Sequence, residues 1–185
     1  VAIILHAHLP FVRHPEHEKF LEESWLFEAI TETYLPLLSI LDGWHRDGME
    51  ARLTLTLSPT LCVMLRDPLL KDRYARHLDS VIELEECALH RARILVGRAC
   101  RANDVPPSGK LPPAIDRGDA YLASGGDVVG AFRRFQDLGK LEIITTAATH
   151  ALLPLLANHP PSVRAQILIA RDHYRECFGC DPRGI

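Results

Sequence analysis

The sequence predicts an α/β fold built on a parallel sheet, either a barrel or a doubly wound sheet. Three observations carry this expectation. Short apolar runs alternate with longer segments of helical period. The runs are apolar enough to be buried on both faces, as strands of a parallel sheet are. Each run is followed at once by polar side chains, and in such folds the chemistry sits at the C-terminal ends of the strands.

The first run is Val1–Leu5, leading into His6, Ala7, His8, Leu9 and Pro10. Glu22–Arg46 then places Trp25, Leu26, Ala29, Ile30, Leu37, Leu38 and Leu41 at helical spacing, with Gly48 after its end. Pro36 inside it predicts a kink or a break, because proline lacks the amide hydrogen and crowds the preceding turn. Residues 51–57 (ARLTLTL) alternate Leu and Thr, the period of a strand. Asp67 as N-cap and Pro68 in the first turn open a second helix that runs towards Cys100. NDVPPSGKLPPAIDRGDAYLASGG, with two Pro-Pro pairs, reads as a long loop at about residues 102–126. A helix over Asp127–Leu138 closes at Gly139, a third strand covers Leu141–Thr145, and a last helix runs from Ser162 to Gly179.

Composition narrows the functional class. With 185 residues and 47% hydrophobic content, the chain can form one domain with a substantial core. The net charge is -3 and the basic residues are interleaved with acids, so no nucleic-acid partner is expected. No apolar run reaches the roughly 20 residues of a membrane span. The N-terminus has no basic n-region or cleavage site and reads as a strand; it starts on Val1, so residues before it are expected. Five widely spaced cysteines form no disulfide framework and suit the cytoplasm. Cys177-Phe-Gly-Cys180 closes a helix instead of opening one, so it reads as ordinary thiols and not as a redox motif.

Three strand ends deliver polar groups to one rim: His6 and His8; Ser58 and Thr60; Thr146, Thr149 and His150. Residues i and i+2 of a strand point the same way, so His6 and His8 converge. Two chemistries suit such a pair. Imidazoles are metal ligands at barrel strand ends in hydrolases. They also hydrogen-bond sugar hydroxyls while carboxylates break the glycosidic bond. No strand end here carries a convincing carboxylate pair: Glu142 lies inside a strand and Asp67 caps a helix.

In order along the chain, HAHLPFVRHPEH, LEESWLFEAITETYLPLL, LTLTLSPTL, LEIITTAATHALLPLL and AQILIARDHYRECFGCDPRGI resemble the family 57 glycoside hydrolases, in particular the 1,4-α-glucan branching branch. The resemblance is weak only around residues 66–125. It implies an incomplete (β/α)7 barrel and a retaining double displacement that cuts an α-1,4-glucan and forms an α-1,6 branch, with no metal or organic cofactor. By the same resemblance His6, His8 and His150 line the subsite holding the glycosyl unit. Trp25 and Glu28 match its W-x-x-E-A stretch as further substrate-binding candidates, and Arg13 is either a rim residue or a surface charge.

In the family a P-R-G-I segment continues W-x-P-E, whose glutamate is the nucleophile; the acid/base aspartate follows further on. Both are expected beyond Ile185. Residues 1–185 therefore read as the N-terminal part of a single catalytic barrel, truncated before the fourth strand and inactive alone, with exposed edges prone to self-association. Two other readings remain open from the residues. One is a metal-dependent hydrolase or deacetylase using the His-x-His pair; the other is a non-catalytic glucan-binding remnant.

Overall fold

Strands β1 (Ile4–Ala7), β2 (Leu53–Leu57) and β3 (Leu141–Ile144) form one parallel sheet in the order β1-β2-β3. The computed structural model describes residues 2–99, 121 and 125–185. The loop expected at about 102–126 therefore lies largely outside the described residues, as does Cys100.

β1 is displaced from the expected Val1–Leu5. Its ladder with β2 pairs Ile4 with Thr54 and runs to Ala7 opposite Leu57, and the Ser58 amide then donates to the Ala7 carbonyl. Pairing thus carries the strand through His6, which lies inside β1 opposite Thr56 instead of following the strand.

The two faces of the sheet differ. Ala7, Leu53, Leu55, Leu57, Leu141 and Ile143 are buried in the core beneath the helices. The alternate positions carry His6, Thr54, Thr56 and Glu142 together with Ile4 and Ile144, so the other face is mixed and largely polar. On it Thr54 Oγ1 donates to Glu142 Oε2 (3.1 Å), and Thr54 and Glu142 are register partners.

The first helical stretch is α1 (Glu23–Ala29), a π-helical turn at Ile30–Tyr34, and α2 (Leu35–Arg46). The interruption expected from Pro36 takes this form. Leu35 N–H reaches back five residues to the Ile30 carbonyl, and the wider turn lets the helix restart where Pro36 lacks an amide hydrogen.

A short helix, α3 (Pro59–Arg66), follows β2 immediately; the sequence reading passed over it because it is only eight residues long. Ser58 caps it, its hydroxyl accepting from Leu61 N–H (3.3 Å). α4 (Pro68–Ala99) is capped as expected by Asp67, whose Oδ1 accepts from the amides of Leu69 (2.9 Å) and Leu70 (3.1 Å). α5 (Val128–Asp137) starts on an Asp127 cap and buries Val128, Val129, Phe132 and Phe135. After β3 come a 3-10 turn (Leu153–Leu156) and α6 (Pro160–Phe178). α6 ends on Gly179 in the left-handed region (φ 72°), as expected of a C-cap glycine.

Candidate substrate-binding site

The imidazoles of His6, His8 and His150 meet at the C-terminal end of the sheet. β1 carries His6 along its pleat, and His8 follows two residues on with the same facing. His150 arrives from the segment after β3. There Ala147 and Ala148 are buried, and a tight turn closes with His150 N–H donating to the Ala147 carbonyl (2.8 Å). His6 Nε2 and His150 Nε2 are hydrogen-bonded at 3.0 Å, and the His8 ring stacks on His150 with centroids 3.8 Å apart and planes 12° from parallel.

Each imidazole is held by neighbours from another element. Ser58 Oγ, fully buried, lies 2.9 Å from His8 Nδ1, and Thr60 Oγ1 lies 3.4 Å from the same nitrogen. Because Ser58 Oγ already accepts the Leu61 amide, its own proton is free for His8 Nδ1 or for Thr60 Oγ1 at 3.1 Å. That setting suits a neutral His8. Its pKa is pushed below the ordinary value of 6.5 by burial, and then by the neighbouring His150 and His6.

His150 has φ 54°, making it the one non-glycine residue with positive φ among the described residues. Such a backbone is uncommon for a side-chain-bearing residue and persists only where the surroundings impose it. Gln166 of α6 holds Ala148 and Thr149, the two residues before His150. Its side-chain oxygen accepts from Thr149 N–H (2.9 Å), its amide donates to Thr149 Oγ1 (3.0 Å), and its backbone carbonyl accepts from Ala148 N–H (3.1 Å).

Of the residues singled out in the sequence, the structure brings together His6, His8 and His150, with Ser58 and Thr60 behind them. Trp25 and Glu28 sit exposed on α1; Trp25 is 48% exposed, against the usual core role of a helical aromatic. Among the described residues no hydrogen bond or ring contact joins either to the histidines. Arg13 donates from Nε to Asp67 Oδ2 (2.7 Å), tying the β1–α1 loop to the cap of α4. A cavity of about 580 Å³, lined among others by Lys19, Phe20, Phe27, Arg73 and His77, lies beside α1 and α4, and none of the three histidines lines it. Gln166 escaped the sequence reading altogether, since a glutamine on an amphipathic helix carries no signal of its own.

The geometry bears on the metal alternative. Two of the imidazole nitrogens, His6 Nε2 and His150 Nε2, are engaged with each other and a third, His8 Nδ1, with Ser58. Among the described residues no group of three or more His, Cys, Asp or Glu side chains is placed to hold a metal ion.

A family model described as Glycosyl hydrolase family 57 matches residues 2–185. The chain belongs to glycosyl hydrolase family 57. The 1,4-alpha-glucan branching enzyme TK1436 of Thermococcus kodakarensis is 32% identical over the whole chain, which covers 26% of that enzyme. The solved structure of the family 57 branching enzyme TK1436, in complex with glucose and additives, matches with a TM-score of 0.83 at 31% identity, over 100% of this chain and 32% of that one. The alpha-amylase AmyC of Thermotoga maritima matches with a TM-score of 0.82 at 37% identity, over 100% of this chain and 34% of that one. The chain thus spans about a quarter of the curated family 57 relative and a third of the solved chains. The three-stranded parallel sheet and its helices are the part of the family fold held in common. No helix among the described residues is long and apolar enough to cross a membrane.

Proposed function

We propose that these residues form the opening part of a family 57 catalytic barrel acting on α-glucans, most specifically a 1,4-α-glucan branching enzyme. The observation that carries the proposal is the convergence of His6, His8 and His150 on one rim. Stacked and mutually bonded imidazoles offer fixed nitrogens to the hydroxyls of a glycosyl unit, and their orientation is set in advance by Ser58, Thr60 and Gln166.

Several features support a barrel that continues past β3. Thr145 N–H donates to the Gly184 carbonyl (3.2 Å), and a Cβ on Gly184 would lie 3.5 Å from the Ile144 side chain. The segment around Gly184 therefore runs alongside the end of β3, where the next parallel strand belongs. The polar face carrying His6, Thr54, Thr56 and Glu142 becomes the inside of the closed barrel. The nucleophilic glutamate and the acid/base aspartate belong to later strand ends, beyond Ile185, and cleave and transfer by double displacement. Trp25 and Glu28 reach the substrate only if the glucan extends across α1. The free thiols of Cys62, Cys87, Cys177 and Cys180 suit a reducing cytoplasm.

The test uses the full-length protein with amylose, scoring new α-1,6 linkages. His6→Ala and His150→Ala are expected to lower turnover on the order of 100-fold, the usual loss of a preorganised donor. His150→Gly separates site from scaffold: glycine accepts φ 54° freely, so its Tm should equal or exceed that of His150→Ala while activity is lost in both. Turnover unchanged in all three variants sinks the assignment. The 37% identity to an alpha-amylase favours a second reading, hydrolysis without transfer, identified by reducing ends released with no α-1,6 product.

A further inference from the structure

The cavity of about 580 Å³ beside α1 and α4 takes no part in the chemistry proposed for the histidine rim. Its volume falls within the roughly 300–1,000 Å³ that small-molecule sites occupy. One wall is the end of the β1–α1 loop, which brings Phe20. The facing wall is α4, which brings Arg73 and His77, and α1 adds Glu23 and Phe27.

These walls are fixed before any ligand arrives. Buried Arg73 donates to the Glu23 carboxylate and to the carbonyls of His14 and His17, so α4 holds the loop in place. The His14 and His17 rings in turn pack on Phe20, with centroids 3.7 Å and 5.3 Å away, and set its plane. His77 lies against the Phe27 ring at 5.2 Å, and neither of its nitrogens is hydrogen-bonded among the described residues. Glu23 meets Arg73 through Oε1, and its Oε2 has no partner among the described residues. Aromatic faces and unspent polar atoms thus line the same space, with little ordering left for binding to impose.

The charges of the lining offset one another. Arg73 is paired with Glu23 and Arg76 with Asp72 (2.9 Å), and Lys19 follows Glu18 in the chain. Burial holds the His77 imidazole below its ordinary pKa of 6.5, which leaves it uncharged at neutral pH. A small ion gains little from such a lining. A neutral molecule with an apolar ring face and hydroxyls at its edge gains both ring contact and hydrogen bonds. We propose that the cavity is an auxiliary glucan-binding site, seating one glucosyl unit with its C–H face on Phe20 and its hydroxyls on His77 and Glu23. The proposal rests on the reading of the protein as one that acts on α-glucans. The site holds a stretch of the glucan away from the histidine rim, since none of the three histidines lines it.

The test follows amide hydrogen exchange of the full-length protein with and without maltoheptaose. Slower exchange is expected in the peptide spanning Glu18–Ser24, in addition to the peptides that carry His6, His8 and His150. In a gel containing amylose, Phe20→Ala should weaken retention on the order of tenfold, the usual cost of truncating an aromatic anchor, and Phe20→Trp should keep it. The wild-type exchange map decides by itself if Phe20→Ala does not fold. Protection confined to the histidine peptides overturns the auxiliary site and leaves the glucan reading standing, as does a folded Phe20→Ala that is retained like the wild type. Protection nowhere, with no product from amylose, overturns both.

Discussion

His8 is the most constrained of the three imidazoles: stacked on His150, bonded to Ser58 and partly buried. Its pKa lies below 6.5 in the folded protein, lowered by burial first and by His150 and His6 second. The sign of the linkage follows. Below pH 6.5 the unfolded chain takes up a proton that folded His8 refuses, so stability is highest above that pH and falls as pH drops towards the folded value. His8→Gln removes this titration, and its Tm should fall less between pH 7 and pH 5 than the wild-type Tm. Equal slopes would mean that His8 is not the group responsible. The histidines themselves were legible in the sequence because the strand period fixes the facing of His6 and His8, and because His150 follows a clear apolar run. Their supports were not. Ser58 was visible only as a polar residue after a strand, since its double role as helix cap and imidazole partner needs α3 and β1 side by side. The positive φ of His150 leaves no trace in the period of the sequence.

Among the elements, the β1–α1 loop depends on a single arginine of α4. Arg73 is buried and donates to the Glu23 carboxylate and to the backbone carbonyls of His14 and His17. It thereby pins the loop that leaves the histidine rim, with Arg13–Asp67 as a second tie nearer β1. Removing one partner of a buried pair leaves an uncompensated charge, which costs about 3–5 kcal/mol, whereas replacing both by apolar groups is often close to neutral. Arg73→Met should therefore lower the urea midpoint sharply, and Arg73→Met with Glu23→Leu should recover part of the loss. A single variant as stable as the wild type would show the pair to be incidental. At this scale the helix cap at Asp67, the end at Gly179 and the interruption near Pro36 were all readable, because each rests on local backbone chemistry. α3 was not, since eight residues straight after a strand show too little period. Nor was Arg73, whose partners lie 50 or more positions away along the chain.

For the whole molecule, the parallel order of the sheet was readable from apolar runs separated by helices, but the contrast between its two faces emerges only with the register. β2 is central and paired on both sides, while β1 lies at an edge with Ile3 and Ile4 exposed, Ile4 at 67%. At the opposite side Leu152, Leu155, Ile167 and Ile169 are exposed along the 3-10 turn and α6, Leu155 at 75%. A strand edge with free amides and carbonyls beside apolar side chains is a template for another chain, and natural folds cover it. If later strands of a barrel cover these surfaces, then residues 1–185 produced alone should elute as oligomers or aggregates, and the full-length protein as a discrete species. Light scattering coupled to size exclusion decides the matter. A monodisperse monomer of residues 1–185 would mean that the sheet edge and the α6 surface need no cover, and the continuing-barrel reading would fall with it.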